Sequence, residues 1–479
     1  MEVLFDYNTS TRKLLFTISC IEEFSRIREH FSIENTAARF ARRFNQFIPR
    51  RKYIISPTGS CDLGIYYLIR KYLIDNQIIC NINITEKLKL ALDTGRNTET
   101  LYTSFKFDLR DYQTEVLTRA LKAGRGTCVL GTGAGKTFTT AALIENFFQQ
   151  HNRKELFKCL VIVPDLGLVE QTYNEFIDSG ITFKATKWTG SHKPDLTSNI
   201  VICNIGILQS QFQQNPWVQY IDLLIVDECH KIKPDNKISK IVSKIKTQNR
   251  YGFTGTLPED QIDKWSVIGK FGPIIYEKTS FDLRKEDFLS NVEIKIIDIQ
   301  YKDTPSKISD NAYRNELQFI YNSIFRNDLI KSICNKLNNN TLILVNHIEH
   351  GERILANLAN TPQKQVYFIR GEIDVIEREK IKKIMEESNN VICIAISAIF
   401  STGVNIKNLH NIVFAAGGKS FIRTVQSIGR GLRKHNTKNK LIIIDLADKL
   451  QYGISHSIKR QAIYTKEKIN FSIKTILQP

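Results

Sequence analysis

The sequence predicts an α/β protein in which two parallel-sheet domains stand in tandem behind a small N-terminal α/β module. Three observations predict it. From about Phe107 onward, apolar runs of strand length alternate with helical segments, a pattern that specifies parallel sheets with function at the carboxyl ends of their strands. The run Thr127 to Leu130 passes through a glycine-rich turn into a helical pattern, Phe138 to Phe148, the setting a phosphate-binding loop requires. Farther on, the apolar run Leu223 to Val226 delivers two adjacent carboxylates, Asp227 and Glu228.

The N-terminal module, residues 1–95, carries no chemical motif. Alternating stretches at Leu14 to Ile18 and Tyr53 to Ile55 suggest strands, and Leu63 to Ile74 suggests a helix. Between Arg39 and Tyr53, Arg42, Arg43, Arg50 and Arg51 are interleaved with Phe40, Phe44 and Phe47, with no acidic residue among them. Arginines for phosphates and aromatic faces for unpaired bases make a nucleic-acid surface; a solvated helix face whose phenylalanines are core is the competing reading. A polar stretch, Asp93 to Thr103, reads as a linker, so the expected domains are 1–95, 96–280 and 281–479.

In the first large domain, Gly131, Gly133 and Gly135 allow backbone amides to point inward, and the following helix presents its positive end to the same place. Lys136 then reaches the outer phosphates, Thr132 belongs to the cradle, and the Thr137 hydroxyl is placed to hold magnesium. Leu130 stands where the longer phosphate-loop pattern begins with glycine, so the match is to the shorter Thr-Gly-x-Gly-Lys-Thr form. Upstream, the Gln113 amide offers the donor and acceptor needed to read adenine at N6 and N7. Asp227 is expected to hold the magnesium water shell and Glu228 to orient and deprotonate the attacking water. Thr189, Gly190 and Asn204 fall at strand ends, where nucleic acid is expected, and Thr254-Gly255-Thr256 suits a hydroxyl-bearing loop coupling nucleotide to nucleic acid. His230 lacks a partner at metal-ligand spacing, and Cys229 reads as a packed small residue rather than a nucleophile.

The second large domain repeats the theme with strands at Leu342 to Val345, Val366 to Ile369 and Val391 to Ile396. The first of these leads into Asn346 and His347, expected to face nucleic acid. His347 and His350 have helical spacing, but without a third ligand they read as surface or nucleic-acid-facing side chains. The tail from Ser455 to Leu477 has helical apolar spacing at Ile458, Ala462, Ile469 and Ile473, and is expected to pack back on this domain.

Composition bounds the partners. A chain of 479 residues with 42% hydrophobic and 24% charged residues is an ordinary well-cored protein, long enough for roughly two to four domains. Its 67 basic residues outnumber 49 acidic ones, a balance of +18 that favours a polyanion such as nucleic acid. Nine cysteines are scattered singly, which excludes a zinc ribbon or disulfide frame and points to a reducing compartment. The start lacks a secretory layout, and apolar runs such as Leu441 to Ile444 are soon broken by charge, so a cytoplasmic protein with no membrane span is expected.

Taken together, the loop, the Asp-Glu-x-His run, the Thr-Gly-Thr loop, Ile399 to His410 and Gln426 to His435 resemble, in this order, the motifs of the superfamily 2 helicases. Within that superfamily the last two stretches are similar to phage helicases of branched DNA; the resemblance is strong over both large domains and thin before residue 100. It implies two RecA-like motor domains, ATP and Mg2+ as cofactors, and DNA as partner, with fork regression, Holliday-junction branch migration and R-loop unwinding of 3′→5′ polarity as activities. It places Ser401 and Thr402 against the sugar-phosphate backbone, where small hydroxyl residues approach closely. It also makes Arg430 and Arg433, three apart and so on one helix face, arginine fingers for the γ-phosphate, with Gln426 as sensor. An RNA or RNA–DNA helicase and a nucleic-acid scaffold without ATPase activity are the alternatives, and a monomer is expected.

Overall fold

Strict alternation builds the first sheet. In β1 (Glu2–Asn8), Val3, Phe5 and Tyr7 point into a core while Leu4 stays exposed. It pairs antiparallel with β2 (Lys13–Ile18) and parallel with β6 (Asn81–Ile84), and β5 (Ser60–Asp62) closes the order β5-β2-β1-β6. A short antiparallel ribbon, β3 (Ser32–Glu34) with β4 (Arg51–Tyr53), lies beside it, and helices Ile21–His30, Ile65–Asp75 and Glu86–Leu92 cover the module. The computed structural model describes all residues except 36–48, 235, 305–310, 360–363, 371–374, 398–407 and 417–439.

The second sheet has seven strands, all parallel. They are β7 (Arg125–Leu130), β8 (Cys159–Val163), β9 (Ala185–Trp188), β10 (Ile200–Asn204), β11 (Leu223–Asp227), β12 (Arg250–Thr254) and β13 (Ile274–Lys278), ordered β13-β7-β12-β11-β8-β10-β9. Every residue of β7, β8 and β12 is buried, as a strand covered by helices on both faces must be. Gly252 in β12 is required by packing, because a Cβ there would lie 2.8 Å from Cys229 Sγ and 2.9 Å from Phe271. The segment expected as a linker carries no helix or strand, yet it is pinned: Tyr102 N–H donates to Asn146 Oδ1 at 2.8 Å.

The third sheet is again seven-stranded and parallel. It comprises β14 (Asn291–Gln300), β15 (Thr341–Val345), β16 (Gln365–Ile369), β17 (Val391–Ile396), β18 (Asn411–Phe414), β19 (Lys440–Asp448) and β20 (Phe471–Leu477), ordered β16-β17-β15-β18-β19-β14-β20. The two seven-stranded sheets are the RecA-like pair the sequence predicts. The tail departs from expectation: helix Gln451–Lys466 ends, and residues from Phe471 turn into an edge strand paired with β14. Ile469 and Ile473, four apart, continued the helical spacing of Ile458 and Ala462 past the point where the helix ends.

Two compact units result. One comprises Met1–Leu130 with Gly135–Lys278, the other Gly131–Ala134 with Thr279–Pro479. The N-terminal module is thus continuous with the first large sheet: Trp265 of helix Gln261–Phe271 completes its core, and Gly64 N–H donates to Gly269 O at 3.0 Å. Among the described residues no helix is long and apolar enough to cross a membrane.

Candidate functional site

The site forms where β7, β12 and β11 end side by side. Beyond β7 the chain turns on Gly133 (φ 85°) and Gly135 (φ 74°), left-handed conformations that glycine adopts freely, and enters helix Lys136–Gln149. Lys136 Nζ lies 3.4 Å from Leu130 O and 3.9 Å from Glu228 Oε1, so it spans the mouth between loop and acidic pair. Thr137, Thr140 of the same helix and Asp227 at the end of β11 line one small cavity floored by Val161, Val163 and Ile225. A hydroxyl and a carboxylate are hard oxygen donors of the kind magnesium takes while keeping waters and substrate phosphates. No cluster of three or more acidic, histidine or cysteine ligands exists among the described residues.

Glu228 is held in a strained backbone. Its φ is 50°, uncommon for a residue with a side chain, and its N–H is fixed by Asp227 Oδ1 at 2.9 Å. The turn aims its carboxylate back towards Lys136, while Oε2 lies 3.1 Å from His230 Nδ1. The same nitrogen is 2.9 Å from Thr254 Oγ1, whose hydroxyl donates to Thr256 O at 2.8 Å. With the hydroxyl proton committed to that carbonyl, its lone pairs face a proton on His230 Nδ1. Because β12 lies between β7 and β11, Thr254 sits between the phosphate-loop strand and the acidic pair, and His230 bridges the two. Sequence spacing had offered His230 only as an unpartnered metal ligand. Its neighbour Cys229 is fully buried, and burial, then the Glu228 charge, pushes its thiol well up, so it is packing.

Other predicted residues separate into groups. Gln113 is buried at the third position of helix Asp111–Ala123, where its Oε1 accepts the Arg110 N–H at 3.0 Å. Its Nε2 faces the loop, 2.6 Å from where a Cβ on Gly135 would stand. Thr132 lies in the turn between β7 and the helix. Gly190 is exposed with open space around it, Thr189 is buried in a turn with His192, and Asn204 precedes helix Ile205–Gln211. Gly255 follows β12 directly.

In the second unit, Asn346 donates to Ala416 O at 3.1 Å and His347 is exposed beyond β15. The surface reading fails for His350: it is fully buried, stacked on Tyr321 with ring centroids 4.5 Å apart, because helix Ala312–Asn322 covers it. Arg50 is exposed, whereas Arg51 is tied to its own module by an ion pair with Glu29 at 2.8 Å and a bond to Ser32 Oγ at 2.9 Å. Arg42, Arg43, Ser401, Thr402, Gln426, Arg430 and Arg433 lie outside the described residues.

A phosphate loop and an acidic pair at the same end of a parallel sheet, followed by a second sheet of the same kind, define a two-domain nucleotide-hydrolysing motor. The comparisons give the family. Residues 106–259 match the type III restriction enzyme res subunit model, and residues 325–435 match the helicase conserved C-terminal domain. The ATP-dependent DNA helicase uvsW of Enterobacteria phage T4 is 28% identical over 96% of this chain and 97% of its own length. The DNA 3′-5′ translocase XPB2 of Sulfurisphaera tokodaii is 23% identical over 81% and 91%, respectively. The Hef helicase domain of Pyrococcus furiosus shares the fold, with a TM-score of 0.52 at 14% identity, covering 74% of this chain and 98% of that one. The chain belongs to the superfamily 2 helicases and is an ATP-dependent helicase.

Proposed function

We propose that the protein is an ATP-driven DNA helicase and translocase that acts on branched DNA, in fork regression, Holliday-junction branch migration and R-loop unwinding. The observation that carries the motor reading is the chain Lys136–Glu228–His230–Thr254, which ties the phosphate loop to the neighbouring strand end within hydrogen-bond and ion-pair distances. In this reading Thr137 and Asp227 hold Mg2+, Glu228 takes the proton of the attacking water, and His230 passes the state of the site to Thr254 and Thr256. Gln426, Arg430 and Arg433 meet the charge that builds on the γ-phosphate, and Thr189, Gly190, Asn204, Asn346, His347, Ser401 and Thr402 grip the strand. Residues 1–95, with Arg42, Arg43, Arg50 and Arg51, serve as an accessory module for the branch. A balance of +18 and two relatives named for work on DNA support DNA over RNA.

The test compares ATPase and unwinding on single-stranded DNA, duplex, fork, four-way junction and RNA–DNA hybrid. Forks and junctions are expected to be unwound fastest, and Glu228→Gln to bind ATP while hydrolysing it about 10²–10⁴-fold more slowly. Faster unwinding of RNA duplexes than of forks would overturn the substrate, and unchanged hydrolysis in Glu228→Gln would overturn the site.

A further inference from the structure

At the opposite end of the first large sheet, where β7 and β12 begin, the molecule buries positive charge with little to neutralise it. Arg125 opens β7 and is 1% exposed; Arg250 opens β12 at 6%; Lys270, from helix Gln261–Phe271, is 8% exposed. The N-terminal module brings Arg12, from the turn between β1 and β2, and Lys13, the first residue of β2, to the same half-enclosed hollow. Five cations therefore face one carboxylate there, Asp62, which pairs with Lys13 and, at 2.7 Å, with Lys270.

Hydrogen bonds are satisfied without neutralising that charge. Arg125 donates to Phe271 O and Lys270 O, both at 3.1 Å, and to Gln248 Oε1 at 2.8 Å. Arg250 donates to Thr247 O at 3.0 Å and Ile245 O at 2.9 Å. Some of these carbonyls close helices Lys237–Lys244 and Gln261–Phe271, whose ends contribute about half a negative charge each. With Asp62 the negative total is about two against five. Burial depresses the Arg125 guanidinium, and burial followed by the Arg125 charge depresses that of Arg250. Arg12 Nε, also buried, finds no hydrogen-bond partner among the described residues. Uncompensated buried charge is costly, and the partly exposed Arg12 and Lys13 leave the hollow open to a solute.

We propose that this hollow binds a phosphate oxyanion, which neutralises the cations and fastens the N-terminal module to the first motor sheet. A groove carrying Arg51, Lys52, Tyr53 and Lys240 runs into it through Lys13, Asp62 and Lys270, so the oxyanion is either free phosphate or a phosphate of a nucleic-acid strand lying in that groove. The site is independent of the ATP site and of the substrate proposed above.

All three tryptophans, Trp188, Trp217 and Trp265, belong to the first unit, and Trp265 lies in the module's core, so their fluorescence reports this region. Melting is followed in inorganic phosphate against chloride at matched ionic strength, on a Lys136→Ala background that removes the phosphate loop's own contribution. Phosphate is expected to raise the melting temperature by about 5 °C. Arg12→Asn, which suits the left-handed turn at φ 55°, keeps less than half of that shift. Asp62→Asn melts lower in chloride and regains the loss in phosphate. An equal shift in Arg12→Asn and its parent, or no rescue of Asp62→Asn, overturns the site even if Arg12→Asn is itself unstable. A short oligonucleotide without terminal phosphates separates the sources: a strand phosphate reproduces the Arg12-dependent shift with the oligonucleotide alone, and free phosphate does not.

Discussion

Both units bury arginines against a parallel sheet, and they do so in opposite electrostatic styles. In the second unit Arg326, fully buried, grips Asp448 with Nε at 2.8 Å and Nη2 at 3.1 Å. Arg460 pairs with Asp445 at 2.9 Å, and Tyr464 donates to the same carboxylate at 2.7 Å. Burial alone would depress both guanidiniums, but the paired carboxylates outweigh it and raise them. In the first unit Arg125 and Arg250 receive carbonyls instead of carboxylates and move down. A buried arginine with its own carboxylate is a lock that needs nothing further. One without a carboxylate is a lock missing a part, and the missing part can come from solution.

The largest effect breaks a closed lock. Asp448→Asn leaves Arg326 charged and alone at zero exposure, with the Tyr301 hydroxyl that reached Asp448 at 2.5 Å also weakened. A loss of about 3–5 kcal/mol is expected, read as faster hydrogen exchange in β15, β18 and β19 while tryptophan fluorescence of the first unit is unchanged. Pairing Arg326→Met with Asp448→Leu should recover most of it. A mild effect of the single variant would place Arg326 with the open arginines.

Arg125→Met is expected to cost less, about 1–3 kcal/mol, because three acceptors lose a donor while a repelled charge disappears. Urea midpoints followed by tryptophan emission measure it. A loss as large as that in Asp448→Asn would mean Arg125 is already neutralised, and the contrast between the units would vanish.

Much of this was legible before any coordinates, and the physical reason separates what was from what was not. Cys159–Val163 and Leu223 to Val226 are continuous apolar runs because both sheet faces are covered, so the strands and the loop could be read locally. The phosphate loop and Asp227-Glu228 are contiguous motifs, and their meeting follows from a parallel sheet delivering functional loops to one end. His230 bridging Glu228 to Thr254 was hidden, since it depends on β11 and β12 lying side by side. Nothing in the sequence around Arg125 and Arg250 links them; only the register Arg250 to Arg125 brings their charges together. The edge strand Phe471–Leu477 misled because its exposed residues erase the alternation by which strands are recognised.

The smallest effect tests how completely the second unit's lock is closed. His350 stacks on Tyr321, and its Nε2 lies 3.5 Å from Arg326 Nη1, so a second positive charge beside that guanidinium is unwelcome. Burial first, then Arg326, lowers its pKa well below the ordinary value. A base depressed in the folded state binds its proton more readily when unfolded. The stability of the neutral imidazole is therefore present above about pH 6.5 and lost as pH falls towards the depressed value. Between pH 6.5 and 5.5 the second unit should lose about 1 kcal/mol, measured by hydrogen exchange at β15. Over that window the first unit should stay flat at Asp62: burial raises that carboxyl, but the Lys270 and Lys13 charges win and hold it at about 2, so its contribution fades only between roughly pH 4 and 2. His350→Phe keeps the stack on Tyr321 and removes the proton site, so the second unit should become flat as well. If the slope persists in that variant, the acid sensitivity belongs to another group, and the Arg326 pocket is not where protons enter.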